Sequence, residues 1–215
     1  MTKTGIIDYG SGNIFSLVNA LNHIGVTNRL ISSVDELQAT DQIIVPGVGS
    51  FSACMNSLQS AGFVEALKPY VKSGKKVLGI CVGMQILFDK SSEFGEHAGF
   101  GVFSGNIERI SSTRKDGRSV IVPHVGWKKL LLNQFANFSA GTSQIFDEID
   151  SDQEYYFVHS YSAKPLDQNE LVAVACYEDQ KISAAVGRGN ILGLQFHPEK
   201  SGEAGLTLLK KWANF

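Results

Sequence analysis

The stretch from Lys75 to Phe88, KKVLGICVGMQILF, contains the pattern that best predicts the fold. An apolar run, Val77 to Ile80, leads into a Gly-x-Cys-x-Gly turn, and a second apolar run with helical spacing follows. Glycines on both sides of a nucleophile remove the side chains that would crowd a sharp strand-to-helix turn. The pattern therefore predicts a buried strand, a turn that presents the Cys81 thiol, and a helix.

Strand-like and helix-like segments alternate on the N-terminal side of this turn. Short apolar runs occur at 5–8 and 42–45, and segments with helical periodicity occur at 14–24 and 63–71. Such alternation is typical of a parallel sheet that is covered on both faces.

After Phe103 the periodicity becomes β-like, until a last helical segment at 204–212. The β-like runs are 107–110, 120–122, 155–159, 171–177, 183–186 and 191–195. The predicted fold class is a doubly wound α/β sheet, mostly parallel with an antiparallel extension, in a single domain spanning residues 1–215.

The composition favours small-molecule chemistry. Only 19% of the 215 residues are charged, the net charge is -2, and no block of five like charges occurs, so no nucleic-acid or membrane surface is expected. The N-terminus shows no leader pattern, and no run approaches the ~18 apolar residues of a membrane span. Cys54, Cys81 and Cys176 lack the spacing of a metal site or a disulfide framework. We expect a cytoplasmic protein without a metal or organic cofactor.

His197 and Glu199 are the predicted partners of Cys81. His197 follows an apolar run, so it should emerge where a strand ends, and Pro198 cannot continue the strand ladder. A carboxylate two residues further on can orient the imidazole and stabilise its protonated form. Taken singly, the motifs also fit a buried structural cysteine and an exposed turn.

Together, the motifs resemble those of the class I glutamine amidotransferases, whose G-x-C-x-G-x-Q and F-H-P-E segments are both present. Within that family the sequence is most similar to the glutaminase subunits of imidazole glycerol phosphate synthases, over nearly the whole chain. Other matching segments are 8–13 (DYGSGN), 46–49 (PGVG), 123–127 (PHVGW), 156–161 (YFVHSY) and 195–200 (QFHPEK). The resemblance implies a Cys81–His197–Glu199 triad that hydrolyses glutamine and passes ammonia to a synthase partner.

The resemblance also implies roles for residues that the motifs alone would leave as turns, strand ends or plain surface. Residues expected to form the oxyanion hole with their backbone N–H groups are Gly47, Val48, Gly49 and Val82. At the position of Val82, directly after the nucleophile, the family usually has Leu. Those expected to hold glutamine are Gln85, Ser160 and Tyr161. Those expected to face the partner are Asn13, Pro123, Trp127, Lys128 and Lys200.

Lys128 leaves the identity of the partner open, because the family usually has Asn after the Trp of P-H-x-G-W. The first hypothesis is a histidine-biosynthesis subunit in a heterodimer with a cyclase that resembles a (β/α)8 barrel. The second is a paralogous glutaminase that serves a sugar-amidating synthase of surface polysaccharides. The third is a non-catalytic assembly partner, which the intact triad argues against, and the P-G-V-G and F-H-P-E segments disfavour a thiol peptidase.

A free glutaminase would waste glutamine, so we also expect the partner to gate the activity. The peptide at Gly47–Val48 is the predicted moving part, because flanking glycines let a peptide plane rotate at low cost.

Overall fold

The computed structural model describes residues 2–133, 144–146 and 149–215, and strands and helices alternate along the first part of the chain. The helices are α1 (Ile14–His23), α2 (Val34–Gln38), α3 (Phe51–Ser60), α4 (Phe63–Lys72), α5 (Val82–Gln85) and α6 (Gly202–Asn214). The strands are β1 (Thr4–Ile7), β2 (Asn28–Ile31), β3 (Gln42–Gly47), β4 (Lys76–Cys81), β5 (Phe88–Ser91), β6 (His97–Ala98), β7 (Phe103–Arg109), β8 (His124–Lys129), β9 (Leu131–Leu132), β10 (Glu154–His159), β11 (Tyr161–Pro165), β12 (Leu171–Tyr177), β13 (Gln180–Arg188) and β14 (Ile191–Leu194).

The central sheet has the strand order β2-β1-β3-β4-β14-β13-β12-β9. Its first five strands pair in parallel, and β13, β12 and β9 add antiparallel strands beyond β14. The strands β1 and β3 are buried along their whole length, as expected for strands covered on both faces. The mixed sheet confirms the predicted fold class.

Helices cover both faces of the parallel part. The chain passes from β1 through α1 to β2, returns through α2 across β1 to β3, and continues through α3 and α4 to β4. Because parallel crossovers are right-handed, the reversal of direction at β2 places the later helices on the opposite face. α1 therefore lies on one face with α6, which it contacts, and α2, α3 and α4 lie on the other.

The carboxyl ends of the parallel strands bring distant segments together. β3 ends at Gly47, β4 ends at Cys81, and His197 follows β14 by three residues. Gly47 lies directly opposite Cys81 in the register of β3 and β4. In open α/β sheets this edge is where ligands bind.

A two-stranded sheet, β8 with β10, and a four-stranded sheet, β11-β7-β5-β6, complete the structure. The backbone N–H of His197 donates to the carbonyl of Tyr156, so β10 lies against the carboxyl edge of the central sheet.

The predicted strand at 120–122 is wrong. These residues form irregular backbone that leads into Pro123, and the strand begins only at His124 because proline has no N–H to donate to a ladder. No helix within the described parts of the chain is long and apolar enough to cross a membrane.

Candidate active site

Cys81 lies on a strained turn between β4 and α5. Its backbone φ is 56° and its ψ is -113°, a conformation that side-chain-bearing residues rarely adopt. The turn depends on its glycines: a Cβ on Gly83 would lie 1.9 Å from the carbonyl oxygen of Val45, and one on Gly79 would lie 2.5 Å from that of Gly83. Strain of this kind persists where the surrounding structure enforces it, commonly at functional sites.

His197 and Glu199 form a buried pair beside this turn. Nδ1 of His197 lies 2.8 Å from Oε1 of Glu199, and both side chains are only 3% exposed. The backbone around the imidazole is also fixed, because the Ser201 hydroxyl donates to the His197 carbonyl at 2.6 Å. Nε2 has no hydrogen-bond partner among the described residues, and His197 and Cys81 line the same cavity.

The surroundings of the His197 imidazole raise its pKa and favour its protonated form. Burial alone would lower its pKa, but the hydrogen bond and charge of Cys81 and then those of Glu199 raise the pKa to about 10. Negatively charged groups that face both ring nitrogens favour the imidazolium. The site therefore brings together the Cys81 thiol, the His197 imidazole and the Glu199 carboxyl group.

A cavity of ≈ 150 Å³ opens in front of the sulfur. Cys81, Val82 and His197 line one part of it, and Val48 and Gly49 line another. The opposite wall is the segment 158–161, which connects β10 to β11.

Gln85 and Gln195 connect this wall to the nucleophile. Nε2 of Gln85 donates to the Tyr161 carbonyl at 3.2 Å and to Oε1 of Gln195 at 3.0 Å. Nε2 of Gln195 in turn donates to the Cys81 sulfur at 3.7 Å. The amide that the sequence predicted as a substrate contact is thus buried and bound to the cavity wall.

The pattern for "Glutamine amidotransferase class-I" matches residues 5–213 of the chain. The chain belongs to the class I glutamine amidotransferases. A protein named "Imidazole glycerol phosphate synthase subunit HisH 1" from Legionella pneumophila (strain Lens) is 37% identical over 212 residues, which cover 99% of both chains. A protein named "Imidazole glycerol phosphate synthase subunit HisH" from Bacillus velezensis is 39% identical and covers 97% of this chain and 94% of its own length.

Solved structures agree on the fold. The structure described as PurLQS from Thermotoga maritima matches 99% of this chain and 98% of its own with a TM-score of 0.72, at 22% identity. At that identity the likeness shows the amidotransferase fold alone.

The predicted oxyanion strand of this amidotransferase is held from behind by a serine. The Ser11 hydroxyl donates to the Val48 carbonyl at 3.0 Å, and the Val48 N–H is directed back to the same hydroxyl at 3.5 Å. The Cys54 thiol also donates to the Val48 carbonyl, at 3.4 Å. Val48 as a whole is nevertheless 41% exposed, so the residue lies at the cavity rim with its N–H directed at Ser11.

Of the residues predicted to face a partner, Lys128 differs from the others in the direction of its side chain. Pro123, Trp127 and Lys200 are exposed, and Asn13 is half-buried at the start of α1. Lys128 follows Trp127 directly in β8, and neighbouring residues of a strand point to opposite faces, so the two side chains project in opposite directions. The Lys128 ammonium lies 5.8 Å from the centre of the Tyr177 ring.

Three site residues were missed by the sequence analysis: Glu93, Gln195 and His159. Glu93 lines the cavity, is 8% exposed, and accepts a hydrogen bond from the Phe51 N–H at 2.6 Å. Gln195 could have been found, since it ends the apolar run 191–195 that leads to His197. Glu93 sits in a charged, turn-like segment, and no local signal distinguishes it from a surface acid.

Proposed function

We propose that this chain is the glutaminase subunit of an imidazole glycerol phosphate synthase, which hydrolyses glutamine and supplies ammonia for histidine biosynthesis. The observation that carries the proposal is the Cys81–His197–Glu199 arrangement at a cavity, in a chain that is 37% and 39% identical over nearly full length to two proteins with that name. The names of these relatives favour this function over the sugar-amidating alternative, and the complete triad favours it over a non-catalytic role. One domain for residues 1–215 is part of the proposal, supported by a central sheet whose strands span residues 4–194.

The Cys81 thiolate attacks the side-chain carbonyl of glutamine, and the C=O electron pair moves to oxygen. When the carbonyl re-forms, the C–N bond breaks, and the His197 imidazolium gives its proton to the departing ammonia. The product is a thioester between Cys81 and the glutamyl group.

The same histidine then serves as the base. His197 is neutral once it has given its proton to ammonia. Acylation also removes the hydrogen bond and charge of Cys81 that raise the His197 pKa, whereas those of Glu199 remain. Neutral His197 removes a proton from water, which attacks the thioester and releases glutamate. Glu199 orients the ring through both steps, because its carboxylate accepts the Nδ1–H in either charge state.

The amino-acid end of glutamine is proposed to bind at the far side of the cavity. Glu93 is the one carboxylate among the described residues that line it, and a buried carboxylate is the natural partner of the α-ammonium group. Ser160 and Tyr161 lie on the wall beside Gln85, where their backbone can contact the α-carboxyl and α-amino groups. Gly47, Val48, Gly49 and Val82 remain the proposed source of oxyanion donors.

A synthase subunit, proposed to be a (β/α)8-barrel cyclase in a heterodimer with this chain, would cover the carboxyl edge of the sheet. Pro123, Trp127 and Lys200 are exposed there, and Val125 adds a second exposed apolar side chain on the Trp127 face of β8. Lys128 is proposed to affect the partner surface through its contact with the Tyr177 ring, and not by contacting the partner directly. Partner binding is proposed to release the Val48 N–H from Ser11 and to turn it toward the substrate oxygen.

Replacing the nucleophile tests the function. Cys81→Ala should abolish glutamine hydrolysis, while the complex with the synthase subunit still forms and still uses added ammonium salts. Cys176→Ala removes an exposed thiol away from the cavity and is the matched control. Measurable glutamate release by pure Cys81→Ala protein would exclude Cys81 as the nucleophile, and loss of the ammonia-dependent reaction would show that the substitution damaged more than the thiol.

A further inference from the structure

Two buried histidines lie at the cavity wall, with His159 lining the cavity and His124 bound to it from behind, and neither has a role in the hydrolysis described above. His124, the first residue of β8, and His159, the last residue of β10, are directly opposite each other in the antiparallel register. Nδ1 of His124 lies 3.0 Å from Nε2 of His159, and Nδ1 of His159 lies 2.8 Å from the Tyr161 carbonyl oxygen. Their relative exposures are 0% and 6%, so water does not replace these bonds.

The carbonyl at Tyr161 determines where every proton of the pair resides. A carbonyl oxygen only accepts, so Nδ1 of His159 must be the donor. In a neutral ring the second nitrogen then carries no proton, so Nε2 of His159 must accept from Nδ1 of His124. Nε2 of His124 is left unprotonated, which agrees with its having no hydrogen-bond partner among the described residues.

Both rings are neutral near pH 7. Burial, and then the charge of Lys128, lowers the pKa of His124 to about 4. Burial lowers the pKa of His159 to about 3; the Tyr161 carbonyl opposes this, and His124 and His197 add to it. Other ionisable groups near the pair are Tyr177, whose ring stacks on His124 at 4.0 Å between centroids, and Glu93 and Cys81, which line the same cavity as His159.

The pair fixes the backbone that faces the substrate. β10 ends at His159 and β11 begins at Tyr161, so the His159 side chain bridges the break at Ser160 by binding the carbonyl two residues ahead. The same carbonyl accepts from Gln85, so both of its lone pairs are occupied and its direction is set. We propose that His124 and His159 are positioning residues whose hydrogen bonds, with both rings in the Nδ1–H tautomer, hold the Ser160–Tyr161 backbone in its substrate-binding conformation.

The tautomers can be measured without any assay of activity. In a long-range ¹H–¹⁵N spectrum of the isolated chain labelled at imidazole nitrogen, His124 and His159 should both be neutral Nδ1–H tautomers at pH 7. Replacing His124 or His159 assigns the signals, and His23→Asn, on the last turn of α1, is the control. An Nε2–H tautomer at either position would overturn the proposal, and would leave the proposed glutaminase function untouched.

The positioning role, which rests on the proposed glutaminase function, is tested by a pair of substitutions in the complex with the synthase subunit. His124→Phe keeps a ring between Phe157 and Tyr177 but removes the hydrogen-bond donor. Because one buried hydrogen bond is then unmet, the KM for glutamine should rise about tenfold, while kcat stays within about threefold of the parent value. His124→Asn carries an N–H at the same number of bonds from Cα as Nδ1, and should keep the KM within about threefold of the parent value.

His159 provides a second pair in case His124→Phe does not fold. His159→Asn retains a donor for the Tyr161 carbonyl, whereas His159→Leu does not, so only the leucine variant should raise the KM about tenfold. An unchanged KM in His124→Phe or His159→Leu, or equal effects of the two members of a pair, would refute the positioning role.

Discussion

The contact between Ser11 and Val48 predicts that removing one hydroxyl makes the isolated chain a faster glutaminase. The hydroxyl binds both the carbonyl and the N–H of Val48, so it stabilises the orientation in which that N–H is turned from the substrate. One missing oxyanion donor lowers turnover about 100-fold or more. The isolated chain should therefore turn over at least ~100-fold more slowly than the complex with acceptor bound, equivalent to a free-energy gap of about 2.7 kcal/mol.

Ser11→Ala should reduce this gap by about 1 kcal/mol, the usual contribution of one neutral hydrogen bond. Such a change populates the productive orientation about fivefold more. Steady-state glutamate release by the isolated variant should thus rise about fivefold, while release by the complex, in which the gap has already been overcome, should stay within about twofold.

The matched control is Ser50→Ala, which removes a hydroxyl that accepts from the Ala53 N–H at the start of α3 and, among the described residues, makes no hydrogen bond to Val48. It should lower the free energy of unfolding by about 1 kcal/mol and leave glutaminase activity unchanged. Unchanged or slower hydrolysis by isolated Ser11→Ala protein, or an equal rise in the complex, would refute the view that Ser11 holds the oxyanion strand in an inactive conformation.

Three further predictions concern the nucleophile turn and the His197 pair. Glu199→Gln retains an acceptor for Nδ1 of His197 but removes the charge 2.8 Å away, so kcat should fall about tenfold with the KM nearly unchanged. A fall in kcat of less than about twofold would exclude the orienting role of Glu199. Since the His197 pKa is raised to about 10, its ring should stay protonated from pH 6 to 8.5 and lose its proton as the pH rises through about 10. The midpoint of its NMR titration should be lower in Cys81→Ala. A midpoint near 6.5, the ordinary value, in the parent protein would contradict the assigned environment. Gly83→Ala should lower the free energy of unfolding by about 3 kcal/mol or more, since the new Cβ meets the Val45 carbonyl. The control Gly74→Ala, where φ is +79° and the space is open, should lower that free energy by about 1 kcal/mol. Equal losses in chemical denaturation would show that the turn can adapt.

The elements that the sequence predicted well are those whose signals are local. The strands at Gln42–Gly47 and Lys76–Cys81 are continuous apolar runs, and the turn at Cys81 is marked by the two glycines that its backbone needs. The carboxyl ends of parallel strands meet at one edge, so the proximity of Cys81 and the residues after β14 followed from the fold class. The sequence could not reveal the 2.8 Å distance between His197 and Glu199.

Other features depend on contacts that no local pattern encodes. The orientation of Lys128 depends on where β8 begins, because a shift of one residue moves a side chain to the other face of a strand. The start of the strand follows from Pro123, which the family resemblance assigns only to the partner surface. Glu93 and His159 reach the cavity only through the packing of separate sheets, so their charge or ring type alone gave no indication of their positions.

The pairing of Gly47 with Cys81 in neighbouring strands has a consequence for how such proteins diverge. The separation of the Cys81 backbone from the proposed oxyanion backbone is set by the spacing between hydrogen-bonded strands, about 4.8 Å. Only a slip of the ladder, which moves a strand by about 3.3 Å and reverses its faces, would change it. Exposed residues such as Pro123 and Trp127 lie outside that ladder, so substitutions there can suit a new ammonia-using partner while the reacting groups keep their alignment.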